Sequence, residues 1–420
     1  MKFLKYFLHR FLIICFFSLS VILEASAETY YVSPFGRDSD PGTASKPFKT
    51  IQKGVNVLEA GDTVIVRDGI YSNFSGTPTK TVNIGVRGTP ENWITIKSEN
   101  KWGAVLDGQG TIAKGFNFNK NVDYVRIEDF EVRNYTLNAI SINQGYISNI
   151  YIYGNNLHHI GGHSALDTNK GTTEVDAAQY ITIDSNIIHD IGRPESSGGP
   201  FSKDHGLYLR GIHHTIINNI FYNNKSGWSI HLSGHNRDLK DFHHYIANNT
   251  IIADSHEYRG GRFGGILVRV SSVWIENNII IVPKGKETIG GAINVYSEGL
   301  ECEKNIVVRN NLTNADNILS DHDDKREHLC PGELISSGNQ VKSNPLFVGE
   351  SMPSSDPNDY KLQLSSRAID AGLKIVLSND FAGTNRPQGS GHDIGAFEYK
   401  KFPGNYIREP QKFKILAVTN

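Results

Sequence analysis

The sequence predicts an all-β solenoid, a stack of short parallel strands wound into coils, and three observations carry that prediction. Six strand segments ending in asparagine recur along the chain: IYIYGN to Asn155, ITIDSN to Asn186, TIINN to Asn219, YIANN to Asn249, WIENN to Asn278 and VVRNN to Asn311. Their spacings of 31, 33, 30, 29 and 33 residues are of the size that marks stacked repeats. The residue three before each asparagine is always apolar: Ile152, Ile183, Ile216, Ile246, Ile275 and Val308. Such equivalent positions stack into one continuous core. Each coil also carries a second short strand. ISIN from Ile140, LDTN from Leu166, LYLR from Leu207, IHLS from Ile230, ILVR from Ile266 and INVY from Ile293 align with one another.

Taken from the start, residues 1–27 read as a signal peptide. Lys2, Lys5 and Arg10 precede the apolar run from Phe11 to Leu23, and Ala25-Ser26-Ala27 is a small-residue cleavage pattern. The run is shorter than the roughly 20 residues of a spanning helix. A secreted mature chain, extracellular or periplasmic and without a transmembrane segment, is therefore expected. Cleavage after Ala27 removes three cations and Glu24, taking the net charge from −2 to −4. That balance argues against a nucleic-acid partner, which favours a basic face. Cys302 and Cys330 remain as an even pair in an oxidising compartment, either as a disulfide or as two free thiols.

Residues 28–399 are expected to form one domain: an N-terminal cap and first coil over 28–71, regular repeats over 121–312, and a closing segment over 341–399. Asp38 and Asp40 in GRDSDPGT read as a turn, with a calcium ligand pair as the alternative. Within the repeats, the asparagine suits each corner because it tolerates left-handed backbone angles and bonds nearby backbone. Stacked asparagines also make a hydrogen-bonded ladder possible. Alternation by two puts Ile140, Leu166, Leu207, Ile230, Ile266 and Ile293 inside. It turns Ser141, Asp167, Tyr208, His231, Leu267 and Asn294 outward, followed two residues later by Asn143, Asn169, Arg210, Ser233, Arg269 and Tyr296. Coils lie about 4.8 Å apart, so these residues form rows on one face. The Gly/Pro/Ser-rich stretch from Gly192 to Lys203 is a loop beside that face. Residues 318–340 are polar and irregular, expected over the side or end of the stack, and residues 400–420 form a basic tail.

These repeats resemble the right-handed parallel β-helix superfamily, often called pectin-lyase-like. The opening stretch from Tyr30 to Tyr71 resembles that of secreted members, in which a short amphipathic helix, here Ile51 to Leu58, caps the coil. NPLFV from Asn344, DYKLQLSSRAIDAG from Asp359 and DIGAFEY from Asp393 resemble a common closing segment. The resemblance implies a single right-handed β-helix of roughly nine to twelve coils, a monomer, and a polysaccharide partner. The scaffold hosts many activities, so the chemistry must come from the site. NKSG (Asn224 to Gly227) is similar to the lysine motif of alginate lyases of this fold, and DHG (Asp204 to Gly206) partly matches the Gly-His-Gly segment of galacturonan hydrolases.

Of the 16 histidines, 12 fall between His158 and His256, which draws attention to that stretch. His214 and His244 occupy the places of Ile181 and Val273 and are expected in the core, whereas His231 falls outside beside Tyr208. Asp167, Asn169, Lys170, Lys203, Asp204, His205, Tyr208, Arg210, His231 and Arg269 can share one groove, which Asn294 and Tyr296 extend. An elongated groove suits a polymer. On a uronic-acid polymer, β-elimination or C5-epimerisation needs a cation for the carboxylate, a base, and a proton donor. Arg210 and Arg269 can neutralise the carboxylate through their planar forks. Alternatively, Asp167 and Asp204 hold a calcium ion that does so. His205 or His231 is the expected base, with Lys203 and Lys225 as the other candidates, and Tyr208 the partner in proton transfer. Asn169, Lys170, Arg269, Asn294 and Tyr296 are the expected substrate-binding residues. Two other readings stand: a hydrolase using Asp167 and Asp204 as acid and base, and a non-catalytic carbohydrate-binding surface protein.

Overall fold

A computed structural model describes residues 27–72, 81–168, 176–193, 204–224, 227–234, 243–253, 265–282, 291–297, 302–321 and 328–400. The expected signal peptide before Ala27 and the tail after Lys400 lie outside them. The chain winds through three parallel sheets of 11, nine and nine strands. Each coil contributes one strand to each sheet in turn, as in Ile147–Tyr153, Asn156–Ile160 and Ser164–Thr168. Nine such coils are described, and the 11-stranded sheet gains one further strand at either end. This is the expected right-handed parallel β-helix.

The apolar rows stack as the period requires. Ile152, Ile183, Ile216, Ile246, Ile275 and Val308 face one another across successive strands of the largest sheet. All are fully buried, and each such side chain contributes roughly 1.5–3 kcal/mol. The third sheet, which carries the second strand of each repeat, buries Ile140, Leu166, Leu207, Ile230, Ile266 and Ile293 in the same way.

At the corner between the first two sheets, two adjacent residues divide the work. The left-handed backbone conformation falls on the residue before each aligned asparagine: Gly154, Ser185, Asn218, Asn248, Asn277 and Asn310. The aligned residues turn inward and bond along the axis. Backbone N–H groups of Asn155, Asn186, Asn219, Asn249 and Asn278 each donate to Oδ1 of the next asparagine at 2.9 Å. Asn311 donates at 3.0 Å to Asn339, a seventh rung without a place in the aligned repeats. The ladder satisfies backbone groups that a sharp corner would otherwise orphan.

The cap helix spans Ile51–Asn56, two residues short of the expected end, and Thr50 caps it by accepting from Lys53 N–H. Asp38 accepts from both Lys49 and Thr50 N–H, so it serves as the turn residue of that entry. Gly54 lies so close to the first strands that a Cβ there would sit 2.7–2.8 Å from methyls of Val32 and Val64. Of the expected irregular segment, strands at Asn317–Asp321 and Leu334–Ser337 extend the stack, and residues 322–327 lie outside the described residues. Cys302 and Cys330 form a disulfide.

The C-terminal segment lies along the side of the stack. Ile187, Ile220, Tyr222, Ile252, Ile279 and Leu312 line the outside of the middle sheet and pack against Phe347, Tyr360, Leu362, Phe381 and Phe397. Apolar residues on both faces of those strands require such a cover. The ion pair between Arg386 and Glu398, 2.7 Å long and without side-chain exposure, ties this cover together. Among the described residues no helix is long and apolar enough to cross a membrane.

Candidate functional site

The third sheet sets the outward row in register: Asn117, Ser141, Asp167, Tyr208, His231, Leu267, Asn294 and Ser320 are successive partners. Alternation therefore brings Asp167, Tyr208 and His231 together as expected, although their strands are up to 64 residues apart. The row differs from an open solvated face. Asp167, His231 and Asn294 are only 3%, 5% and 2% exposed, and Tyr208 is half-buried. Long side chains of the flanking row lie across it.

Tyr208 is the centre of the cluster. Its ring stacks on His205 at 5.4 Å and meets His231 at 5.0 Å and His163 at 4.9 Å edge to face. The Arg210 guanidinium lies 5.0 Å from the ring centre, and the Tyr208 hydroxyl is 3.3 Å from Ser233 Oγ. Arg210 is itself fixed: Nε donates to Thr168 O at 2.9 Å and Nη2 to Asn143 Oδ1 at 3.2 Å. Asn143 donates in turn to Asp167 Oδ2 at 2.9 Å, while Asp167 Oδ1 is buried without a hydrogen-bond partner among the described residues. Arg269 stacks on Tyr296 at 5.0 Å, and burial lowers its pKa while Tyr208 and Tyr296 oppose that shift. Asn294 donates to Gly291 O and accepts from Ser320 Oγ. It sits beyond Leu267, apart from the Tyr208 cluster.

Donor–acceptor accounting settles which proton each histidine holds. Trp228 N–H donates to His205 Nδ1 at 3.0 Å, so that nitrogen is a lone pair and Nε2 carries the proton. His205 Nε2 then donates to His231 Nδ1 at 3.0 Å. A neutral His231 is thereby held with its proton on Nε2, which makes it a donor. Neither histidine fits the expected role of base: His205 has spent its lone pair on Trp228 and His231 has spent Nδ1 on His205. Burial also pushes His205 down to about 3, with His163 and Arg269 adding to the shift. His163 escaped the sequence reading. It precedes the strand that begins at Ser164, and the ring contact with Tyr208, not the strand register, brings it into the cluster. Burial lowers the His163 pKa, against the opposing charge of Asp167, and so favours its neutral form.

Asp204 corrects another expectation. Arg193 binds it in a fork, Nε to Oδ2 at 2.9 Å and Nη2 to Oδ1 at 2.8 Å, and Arg193 N–H adds a third bond. The carboxylate has no exposure. A buried carboxylate is stable only when so paired, and this pairing removes Asp204 from a calcium site with Asp167 and from the acid–base pair of a hydrolase. Lys203, Asn169, Lys170 and the lysine of NKSG lie outside the described residues.

The buried histidines make stability depend on pH. Burial also lowers His214 to about 4 and His244 well below its ordinary value. On unfolding, each regains a pKa near 6.5, so below that pH the unfolded chain binds more protons and the folded state is disfavoured. Unfolding at pH 5 is expected to take up about three protons through His205, His214 and His244. Calorimetry should find the melting midpoint roughly 5–10 °C lower at pH 5 than at pH 7.5. An unchanged midpoint would place these imidazoles in water.

Comparison with known proteins agrees with the fold. A model of the Pel9A-like right-handed β-helix region matches residues 30–199. The uncharacterized protein YwoF of Bacillus subtilis (strain 168) is 27% identical over 140 residues, 32% of this chain and 28% of that protein. Pectate lyase PEL9 of Emericella nidulans is 32% identical over 83 residues, 20% of this chain and 19% of that one. The matches thus span less than a third of either relative. Among solved structures, pectate lyase Pel9A superposes with a TM-score of 0.56 at 18% identity, covering 88% of this chain and 96% of the other. The GH136 lacto-N-biosidase from Eubacterium ramulus gives 0.50 at 14% identity over 75% and 68%. At these identities the structural likeness concerns the fold.

Proposed function

Because the chain is a right-handed parallel β-helix of the pectin-lyase-like superfamily, we propose that it is a secreted polysaccharide-active enzyme, a lyase or C5-epimerase acting on a uronic-acid polymer. The observation that carries this reading is Tyr208, set between the Arg210 guanidinium and the His205–His231 pair. Similarity to a pectate lyase by sequence supports the substrate class.

Abstraction of the C5 proton puts negative charge onto the uronate carboxylate. Arg210 and Arg269 meet that charge, and the neutral His231 Nε2–H adds a donor that costs no proton transfer. His205 positions His231 and does not itself exchange protons. Tyr208 and neutral His163, with rings 4.9 Å apart, are the pair that moves protons between sugar and solvent. In elimination the C5–H and C4–O bonds break, a C4–C5 double bond forms, and the proton donor serves the leaving oxygen. In epimerisation the C5 proton returns from the opposite face.

The test is a screen of the mature chain on pectate, alginate and glycosaminoglycans, with and without calcium, following absorbance of the unsaturated uronate. A rise on one polymer supports elimination, and inverted C5 by NMR supports epimerisation. Loss of activity with chelator would assign the neutralising charge to calcium and not to the arginines. New reducing ends without absorbance would replace the reading by hydrolysis. No turnover on any polymer would replace it by a non-catalytic binding protein.

A further inference from the structure

On the outside of the middle sheet, one wall away from Tyr208, three other imidazoles converge. His158 and His189 are partners in neighbouring strands, their rings parallel and 4.7 Å apart. His159 would by alternation point away from His158. Its φ of 53° breaks the alternation, and the two Nδ1 atoms come within 2.6 Å. One coil on, Asp190 repeats the device with a φ of 53°, which brings its Oδ2 within 2.6 Å of His189 Nδ1. One ligand nitrogen from each of the three histidines lies within 4.8 Å of the others. Asn134 and Asn223, at the same place in the flanking coils, share this left-handed conformation, so it belongs to the coil and here brings two histidines together.

The outer nitrogens supply the second observation. His158 Nε2 faces Glu131 Oε1 at 3.3 Å, and His189 Nε2 faces Asn156 Oδ1 at 3.1 Å. At His158 the Glu131 carboxylate at Nε2 draws the ring proton there and leaves Nδ1 as a lone pair. For His189, the neutral ring donates Nδ1–H to the Asp190 carboxylate oxygen, and a metal ion would take the place of that proton. Outer partners that hold the distal N–H are also how ligating histidines are oriented.

We propose that His158, His159 and His189 form a binding site for a borderline transition-metal ion such as zinc. Three imidazoles suit Zn²⁺, Co²⁺, Ni²⁺ and Cu²⁺, with water in the remaining position. Nitrogens sharing a tetrahedral zinc stand about 3.3 Å apart, from Zn–N bonds of about 2.0–2.1 Å. Loading therefore spreads the His158–His159 pair and swings His189 inward. The ion joins two successive coils where the C-terminal cover begins, since His189 stacks on Tyr222 at 4.5 Å and Tyr222 on Tyr360 at 5.9 Å. The role is structural and independent of the polysaccharide chemistry.

The experiment uses the untagged mature chain, stripped with chelator and titrated with Zn²⁺ by calorimetry and with Co²⁺ by its visible absorption. The expected result is one equivalent bound, with a raised melting midpoint. His159→Asn should fold normally, because His159 is exposed and asparagine accepts a positive φ. It should weaken binding by more than about tenfold and abolish the thermal shift. His231→Asn, on the other wall, should bind as the unmodified chain does. The proposal is overturned if no equivalent binds, if binding survives in the His158→Asn/His159→Asn double variant, or if it is lost in His231→Asn instead. Each of those outcomes leaves the cluster as an imidazole–tyrosine stack.

Discussion

Tyr208→Phe lowers kcat on the responsive polymer by about 10³, within the 10²–10⁴ that a positioned acid–base group supplies, and leaves the melting midpoint unchanged. The substitution removes one hydroxyl and nothing else. The ring that packs on His163, His205, His231 and Arg210 remains. Among the described residues the hydroxyl reaches one side chain, Ser233 Oγ at 3.3 Å. A loss of turnover without a loss of stability therefore reports chemistry. His231→Ala gives a smaller fall, about 10², because it deletes a donor to developing charge. His205→Ala acts through His231, and its signature is a lowered kcat with KM little changed. Wild-type turnover in Tyr208→Phe and His231→Ala would remove this row from the reaction, whatever activity the protein has.

Asn249→Ala destabilises the fold by about 3–5 kcal/mol, summing buried groups at roughly 1–3 kcal/mol each. Asn249 Nδ2 donates to Ile216 O at 2.9 Å, Ala247 O at 3.1 Å and Asn278 Oδ1 at 2.9 Å. Its Oδ1 accepts from Asn219 N–H at 2.9 Å and Asn219 Nδ2 at 3.0 Å. The rung is fully buried, so water does not replace the lost partners. Asn249→Asp is worse, because a carboxylate would face three acceptors in place of the amide donors. Asn339→Ala, at the half-buried end of the ladder, costs less. Urea unfolding monitored by circular dichroism measures all three. A cost below about 1 kcal/mol at Asn249 would mean that the corner backbone finds other partners.

How much was legible in advance follows from what repeats. The period near 30 with an apolar residue three before each asparagine determined the coils, because a parallel stack must place equivalent residues over one another. Alternation by two within LDTN, LYLR and IHLS determined that Asp167, Tyr208 and His231 would adjoin, and the register bears this out. Even the core histidines His214 and His244 were marked by the apolar residues that hold their place in other coils.

What no periodicity determines is where a polar group finds its partner. Asp204 looked free for a cation, but Arg193 claims both oxygens. His205 and His231 looked like bases, but a backbone N–H from Trp228 fixes one tautomer and through it the other. His163 sits just before its strand, where no strand pairing marks it, and the convergence of His158 with His159 depends on a departure from strand alternation that follows from a backbone angle and not from residue type. The reason is physical. Apolar burial is non-directional and needs only the right residue in the right repeat, whereas hydrogen bonds and ligand geometry depend on direction within a few tenths of an ångström. The sequence by itself determined the solenoid and the row; only the tertiary structure decided which atom in that row holds the proton.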